Sequence, residues 1–129
     1  MISGILEIQA TTAVSTAVAD SQWPLCNGKT VNALVLIEAI AQTAAIVEGY
    51  KRKQQGRDGV KGWLVGIKNA EFHQKEIPVN TKLVIMIESK YSLENYGVVE
   101  GIVKTDGQTL ATVTLQALRM NEENNFKIF

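Results

Sequence analysis

A carboxylate and an amide lie one helical turn apart inside a long apolar stretch of this chain. Residues 31–50 contain Glu38 and Gln42, and the other polar residues between positions 31 and 47 are Asn32 and Thr43. On a helix, positions four apart share a face, so Gln42 can orient the Glu38 carboxylate. Burying a carboxylate among apolar neighbours is costly unless it is paired or protonated. Glu38 is therefore a candidate general acid, or a base that activates water, or a structural carboxylate bonded to backbone amides or to Gln42.

Few other side chains in the sequence are capable of chemistry. His73 is the single imidazole, and its strand context favours a half-exposed surface residue over a catalytic base. Cys26 is the single cysteine, which excludes an internal disulfide and a cysteine-built metal site. Without a neighbouring His or cation cluster, Cys26 is expected to pack as a small residue. Trp23 and Trp63 are predicted to anchor the core or an interface rather than stack on a cofactor.

A long helix must carry Glu38 and Gln42. Residues 31–50 are rich in Leu, Ala, Ile, Glu and Gln and lack Pro, which favours a helix. Extended through position 54 to a stop at Gly56, this helix would be about 36 Å long. Thr30 and Asn32 are both candidate N-caps. Because the helix is apolar nearly all round, we expect it to be covered nearly all round by a sheet. Its central polar residues argue against a membrane span.

Strand patterns fill the rest of the chain up to Met120. β-Branched residues alternate over 12–18, before the helix. Apolar alternation recurs after the helix, over 63–72, 83–87, 98–105 and 110–118. The dipeptide Asp106-Gly107 predicts a two-residue hairpin. The sequence thus predicts one or two strands, one long helix and four strands, of which the last three form an antiparallel meander. We expect one domain over 1–120 and a polar, frayed tail over 121–129.

The composition restricts the class of protein. A length of 129 residues suits one domain, and 46% hydrophobic with 20% charged residues argues against disorder. Thirteen basic and thirteen acidic residues cancel, so nucleic acid is not an expected partner. Lys51, Arg52 and Lys53 complement the macrodipole at the helix C-terminus. Positions 1–10 show no signal-peptide pattern, so a cytoplasmic location is expected.

Several segments resemble the hotdog fold, and in particular the 3-hydroxyacyl-ACP dehydratases of bacterial fatty-acid and polyene synthesis. The text LIEAIAQ at 36–42 is similar to that family's helix motif. The family's strand and turn motifs resemble two further segments, VGIKNAEF at 65–72 and IPVNTKL at 77–83. Its hairpin is similar to TDGQTLA at 105–111. The resemblance implies an α+β hotdog fold, a five- to six-stranded antiparallel sheet wrapped around one long central helix. Thioesterases of the same fold share the strand patterns.

The resemblance also implies a site at a subunit interface. In the family, a His in an H-F-P loop acts with an acid on the partner subunit's helix. Glu38 matches the acid, but the matching loop at 22–25 reads Gln-Trp-Pro-Leu and lacks the His. Family members use a backbone N–H at the helix start to polarise the thioester carbonyl, and Ala33 matches that position. By the same resemblance the site would include Gln42 supporting Glu38, and substrate contacts from Asn32, Trp23 and Gly66.

Three functions remain open from the sequence. The first is a homodimeric 3-hydroxyacyl-ACP dehydratase-like protein that binds an acyl thioester at its dimer interface, with catalysis impaired by the missing His. The second is an acyl-CoA or acyl-ACP thioesterase in which Glu38 activates water. The third is a non-catalytic acyl-binding or scaffolding partner of a catalytic homologue. In each, the substrate is carried on the phosphopantetheine of an acyl carrier protein or CoA, and no cofactor or metal is expected. The edge strand near 63–72 predicts subunit pairing, as a dimer or a higher oligomer.

Overall fold

One long helix lies against a six-stranded antiparallel sheet in the computed structural model. The structure describes residues 1–56, 62–93 and 95–120. Within these ranges, the side chains of 62–65, 119 and 120 are not described. The elements in chain order are β1 (Ile2–Ile8), β2 (Thr12–Val18), β3 (Thr30–Asn32), α1 (Val35–Gln54), β4 (Gly62–Phe72), β5 (Glu76–Pro78), β6 (Lys82–Ser92), β7 (Tyr96–Thr105) and β8 (Gln108–Met120). The α+β architecture predicted from the sequence is confirmed. The tail at 121–129 and the Trp63 side chain lie outside the description.

The large sheet has the strand order β1-β2-β6-β7-β8-β4, and β3 pairs with β5 in a separate two-stranded sheet. Strands β6, β7 and β8 form the predicted meander, and the β7–β8 hairpin turns at Asp106 and Gly107, which both have positive φ. Residues 76–80, where Pro78 predicts a break in the ladder, lie outside the large sheet, and the short strand β5 within them ends at Pro78.

The start of the helix differs from the prediction. Thr30 and Asn32 belong to β3, and α1 begins at Val35 after the N-cap residue Leu34. Asn32 still serves the helix start, because its Oδ1 accepts a hydrogen bond from the Leu34 amide at 2.9 Å. The C-terminal end agrees with the prediction, since α1 ends at Gln54 and Gly56 follows with a φ of 69°.

The covering of the helix is the largest correction to the sequence prediction. One face of α1 is buried against the sheet, through Leu36, Ile40, Thr43 and Val47 among others. The opposite face is not covered by the described residues of this chain, and Leu34, Ile46 and Tyr50 are exposed along it. An apolar sequence shows that a helix needs cover, but not which molecule supplies it. Among the described residues, no helix is long and apolar enough to span a membrane.

Gly101 allows the close approach of α1 to the sheet. It lies on β7 beneath Ile40, and a Cβ placed at position 101 would be 2.5 Å from Ile40 Cγ2 and 2.9 Å from Ile40 Cδ1. Non-bonded carbon atoms prefer separations of about 3.5–4.0 Å. A side chain at position 101 would therefore push the helix away from β7 and from the buried groups around Ile40.

Substituting Gly101→Ala is expected to lower the free energy of unfolding by about 1–3 kcal/mol, the usual cost of adding a methylene to a filled core. Urea unfolding followed by circular dichroism measures the change. Gly66→Ala is the matched control, because a Cβ at position 66 meets no atom within 4 Å. A Gly101→Ala loss no larger than the Gly66→Ala loss would contradict the close packing of Ile40 on β7.

Two buried hydroxyl groups join the helix to β2. Ser15 Oγ and Thr43 Oγ1 are 2.8 Å apart, and Thr43 Oγ1 donates to the Ala39 carbonyl oxygen at 2.9 Å. Because the Thr43 hydroxyl donates its proton to the Ala39 carbonyl oxygen, the Ser15 hydroxyl is the donor in the hydrogen bond with Thr43 Oγ1. Both residues are fully buried, and neither hydroxyl has water as an alternative partner.

Substituting Thr43→Val is expected to cost about 1–3 kcal/mol of unfolding free energy, because it leaves the buried Ser15 hydroxyl without an acceptor. The double variant Ser15→Ala/Thr43→Val removes both polar groups and should cost less than Thr43→Val plus Ser15→Ala measured singly. Additive losses in the double-mutant cycle would show that the two hydroxyls do not depend on each other.

Candidate functional site

A groove of about 650 Å³ opens beside the N-terminal half of α1. One wall is the segment between β2 and β3, and the other is the first two turns of the helix. The groove is open to solvent along its length in this chain. The residues that line it include Asp20, Trp23, Leu25, Leu34, Glu38 and Gln42. The groove therefore brings together the acid, the amide and one of the aromatic residues that the sequence singled out.

Glu38 lies on the open side of the groove. Gln42 Nε2 donates to Glu38 Oε1 at 3.3 Å, so the predicted pairing of the two side chains on one helix face is present. The carboxylate is exposed, whereas the sequence argument placed it in a buried setting. The reason is the uncovered helix face, on which Glu38 lies. The pair can present one oriented carboxylate to a molecule that enters the groove, and its part in catalysis stays a prediction.

A tight turn presents Trp23 to the groove. Asp20 Oδ1 accepts from the Gln22 amide at 2.8 Å, and the Trp23 amide donates to the Asp20 carbonyl oxygen at 3.0 Å. Trp23 is half-buried and packs against the core cluster, as the sequence predicted for an anchor. Because it also lines the groove, it offers an aromatic surface close to the Glu38 carboxylate.

Two exposed leucines form an apolar rim that the sequence reasoning missed. Leu25 is 60% exposed and has a φ of +61°, a conformation that bulky side chains rarely adopt. Leu34 is 53% exposed and lies one turn before Glu38. Leu34 could have been found from its spacing to Glu38, but the backbone strain at Leu25 leaves no sequence signal. Strained backbone and exposed apolar side chains beside a carboxylate are typical of a binding site.

The Ala33 amide is already engaged. It donates to the Lys75 carbonyl oxygen at 2.8 Å, so in this structure it is not the free donor that the resemblance implied. Asn32 is engaged as well, because its amide donates to Leu25 O at 3.1 Å and its side chain accepts from Leu34. The Val35 amide has no acceptor among the described residues, and Val35 lines the groove. At the helix start, the Val35 amide rather than the Ala33 amide is thus the one left for an acceptor from another molecule.

The remaining candidates do not line the groove. Gly66 lies on β4, opposite Gln116 of β8. His73 follows β4 and is exposed, with its amide bonded to Leu110 O at 2.9 Å. Cys26 is half-buried, and its Sγ accepts from the Gly28 amide at 3.3 Å. Among the described residues lining the groove there is neither an imidazole nor a thiol. In the same part of the chain, no three His, Cys, Asp or Glu side chains cluster to hold a metal ion.

Strand β4 forms one open edge of the large sheet. Its pairing with β8 uses one side, and in the described residues no strand pairs with the other. Ile67, in the middle of β4, is 55% exposed. An eleven-residue edge strand with an exposed apolar side chain is a surface suited to pairing with another chain.

Nearly the whole chain matches one known protein family. The profile of the ApeP-like family, described as ApeP dehydratase, matches residues 1–127. The chain belongs to the ApeP-like family. The dehydratase resemblance seen in the helix and strand motifs is therefore confirmed. Among curated proteins, none matches this chain significantly.

Solved structures place the ApeP-like chain in the hotdog fold. The dehydratase heterocomplex ApeI:P from Xenorhabdus doucetiae matches with a TM-score of 0.86 and 17% identity, covering 95% of this chain and 84% of that chain. The smu.793 protein from Streptococcus mutans, bound to acetyl CoA, matches at 0.65 and 12% identity, over 92% and 88%. A hypothetical thioesterase with coenzyme A from Streptococcus pneumoniae matches at 0.63 and 15% identity, over 91% and 87%. At these identities the likenesses establish the fold.

Proposed function

We propose that this protein is one subunit of a dehydratase that converts a 3-hydroxyacyl thioester into the 2-enoyl thioester and water. The substrate binds in the groove beside Glu38, and the imidazole base comes from a second hotdog subunit. The acyl group is carried on the phosphopantetheine of a carrier protein or CoA. The observation that carries the proposal is a carboxylate held by Gln42 at a groove that contains no imidazole of this chain.

The reaction needs two proton transfers at neighbouring carbons. A base removes the proton from C2 while an acid protonates the hydroxyl group at C3, which leaves as water, and the electron pair forms the C2–C3 double bond. Glu38 in its protonated form suits the second role, with its other oxygen held by Gln42. The Val35 amide can stabilise the negative charge that develops on the thioester oxygen. Removing the proton from C2 needs an imidazole base, and the described residues that line the groove include none.

A second subunit can supply that base and also cover the groove. The open helix face and the open β4 edge both need a partner, and a hotdog chain that pairs along β4 would contribute its own loop to the site. The ApeI:P structure is a dehydratase heterocomplex, and this supports pairing with a different subunit. The homodimer expected from the sequence stays a prediction. Two copies of this chain would not bring a His side chain to the groove.

The assay compares this chain alone with the chain co-purified with a hotdog dehydratase subunit that carries the H-F-P histidine. The probe is 3-hydroxydecanoyl-CoA, and enoyl formation is followed by ultraviolet absorbance. We expect slow or absent turnover by the single chain and rapid turnover by the pair. Equal turnover by the chain alone would contradict the need for a second subunit's imidazole.

Thioester hydrolysis is the second candidate, because an exposed carboxylate and a free helix-terminal amide could activate water without an imidazole. The structural likeness to a thioesterase solved with coenzyme A also favours it. Free thiol released from the same probe, measured with a thiol reagent, separates the two reactions. A pair that stays active when Glu38 is altered would instead support the non-catalytic scaffolding role.

A further inference from the structure

The face of the sheet that points away from α1 carries an apolar centre between charges of opposite sign. Side chains alternate across a strand, so the buried Ile85, Ile87 and Val103 point to the helix and their neighbours point outward. We define the outer patch as the outward residues Val14, Val84, Met86, Glu100, Ile102 and Lys104. These lie on the three adjacent strands β2, β6 and β7.

The strand registers place the apolar residues in one row across the sheet. Val14 is opposite Met86, and Met86 is opposite Ile102, so the three side chains are neighbours on the outward face. All three are half-buried in the chain, and Val84 in the next row is exposed. A shallow hollow of about 220 Å³ lies between Met86 and Ile102. The row therefore has both protruding apolar side chains and space to receive others.

The charges lie symmetrically on either side of this row. On β7, Glu100 precedes Ile102 by two residues and Lys104 follows it by two, so all three point outward. Glu88 lies opposite Glu100 on the neighbouring strand and is paired with Lys90. Among the described residues, Glu100 and Lys104 have no ion-pair partner within bonding distance. Glu88 and Glu100 repel each other across the strands, and Lys90, which attracts both carboxylates, offsets part of that repulsion.

We propose that a second copy of this chain packs face to face on the outer patch, related by a two-fold axis that runs across the strands along the row of Val14, Met86 and Ile102. Such an axis reverses the strand direction, so Ile102 lies over the copy's Ile102. Each Glu100 then lies opposite the copy's Lys104, and the contact occurs twice because the interface is isologous. Stacked sheets are about 10 Å apart, within reach of Glu and Lys side chains of both faces.

The charges select this arrangement over the other symmetric one. A two-fold axis parallel to the strands would keep the strand direction and place the row of Glu88 and Glu100 over the same row of the copy, which is repulsive. The outer patch is also separate from the β4 edge and from the groove beside Glu38. Both contacts can therefore exist together, so that two catalytic pairs are joined back to back through this chain.

Charge reversal tests the inference with the whole purified chain. The apparent mass is measured by size-exclusion chromatography with light scattering over a range of concentrations. Glu100→Lys places like charges opposite each other at both contacts, and so does Lys104→Glu, so each variant should have half the wild-type mass. The double variant Glu100→Lys/Lys104→Glu restores opposite charges and should recover the wild-type mass. Lys53→Glu, on the exposed end of α1, is the matched control and should keep that mass.

Thermal unfolding separates loss of the contact from loss of the fold. Glu100→Lys exchanges the repulsion with Glu88 for a repulsion with Lys90, so the variant should unfold close to the wild-type temperature while its mass falls. Single variants with the wild-type mass would overturn the inference, as would a double variant that stays at half mass. The inference does not depend on the proposed function, because the mass is measured on this chain alone, and dehydration is measured separately after the same variants are paired with the His-bearing subunit.

Discussion

Substituting Glu38→Gln is expected to lower the kcat of the assembled dehydratase about a hundredfold or more, the usual loss when a general acid is removed. Glutamine has the same shape, and its amide oxygen can still accept the hydrogen bond that Gln42 Nε2 now donates to Glu38 Oε1. The groove should therefore keep its form and the KM should change little. What the variant lacks is a proton for the departing hydroxyl group.

Steady-state dehydration of 3-hydroxydecanoyl-CoA by the pair measures this effect. Glu7→Gln is the matched control, because Glu7 is exposed on β1, at the other end of the strand order from β4, and does not line the groove. Gln42→Leu should cause a smaller loss, since it releases the carboxylate without removing it. A Glu38→Gln pair with wild-type kcat would end the catalytic role assigned to Glu38 and leave this chain as a scaffold.

Substituting Ile67→Asp is expected to weaken pairing with the second subunit by about a hundredfold or more, because an unpaired carboxylate in an interface costs several kcal/mol. Ile67 lies in the middle of the open β4 edge and is 55% exposed in the isolated chain. Its exposure means that the fold itself loses little from the change. Dehydration should fall together with the fraction of assembled pair, and excess second subunit should restore it.

Isothermal titration of this chain with the His-bearing subunit measures the pairing, and urea unfolding of the free chain reports the fold. Asn69→Asp is the matched control, since it adds the same charge to the same strand at an exposed polar position. If Ile67→Asp binds as tightly as the wild type, the β4 edge is not the pairing surface. If both variants lose binding equally, the added charge rather than the apolar contact is responsible.

Much of the fold could be predicted because the relevant signals are local. The stop of α1 near Gly56, the meander and the turn at Asp106 and Gly107 all depend on a few consecutive residues. The spacing of Glu38 and Gln42 likewise predicted a hydrogen bond that the structure contains. Family motifs added the hotdog fold and the dehydratase class, which the family comparison bears out.

Other features of the site depend on contacts that no local pattern records. The apolar helix was expected to be enclosed, yet one face is open and Glu38 lies on it. The Ala33 amide matched a family donor by position, but the Lys75 carbonyl of a distant segment occupies it. Gly66 matched a motif as well, yet this residue of β4 does not line the groove. A motif transfers a position in the chain, whereas a role depends on the neighbours in space.

The measurement that tests the central claim most directly is a crystal structure of this chain paired with the His-bearing hotdog subunit and a non-hydrolysable 3-hydroxyacyl thioester analogue. We predict that the C3 hydroxyl of the analogue contacts the Glu38 carboxylate and that an imidazole of the second subunit lies beside C2. An analogue bound away from Glu38, or an imidazole too far from C2 to remove its proton, would contradict the account.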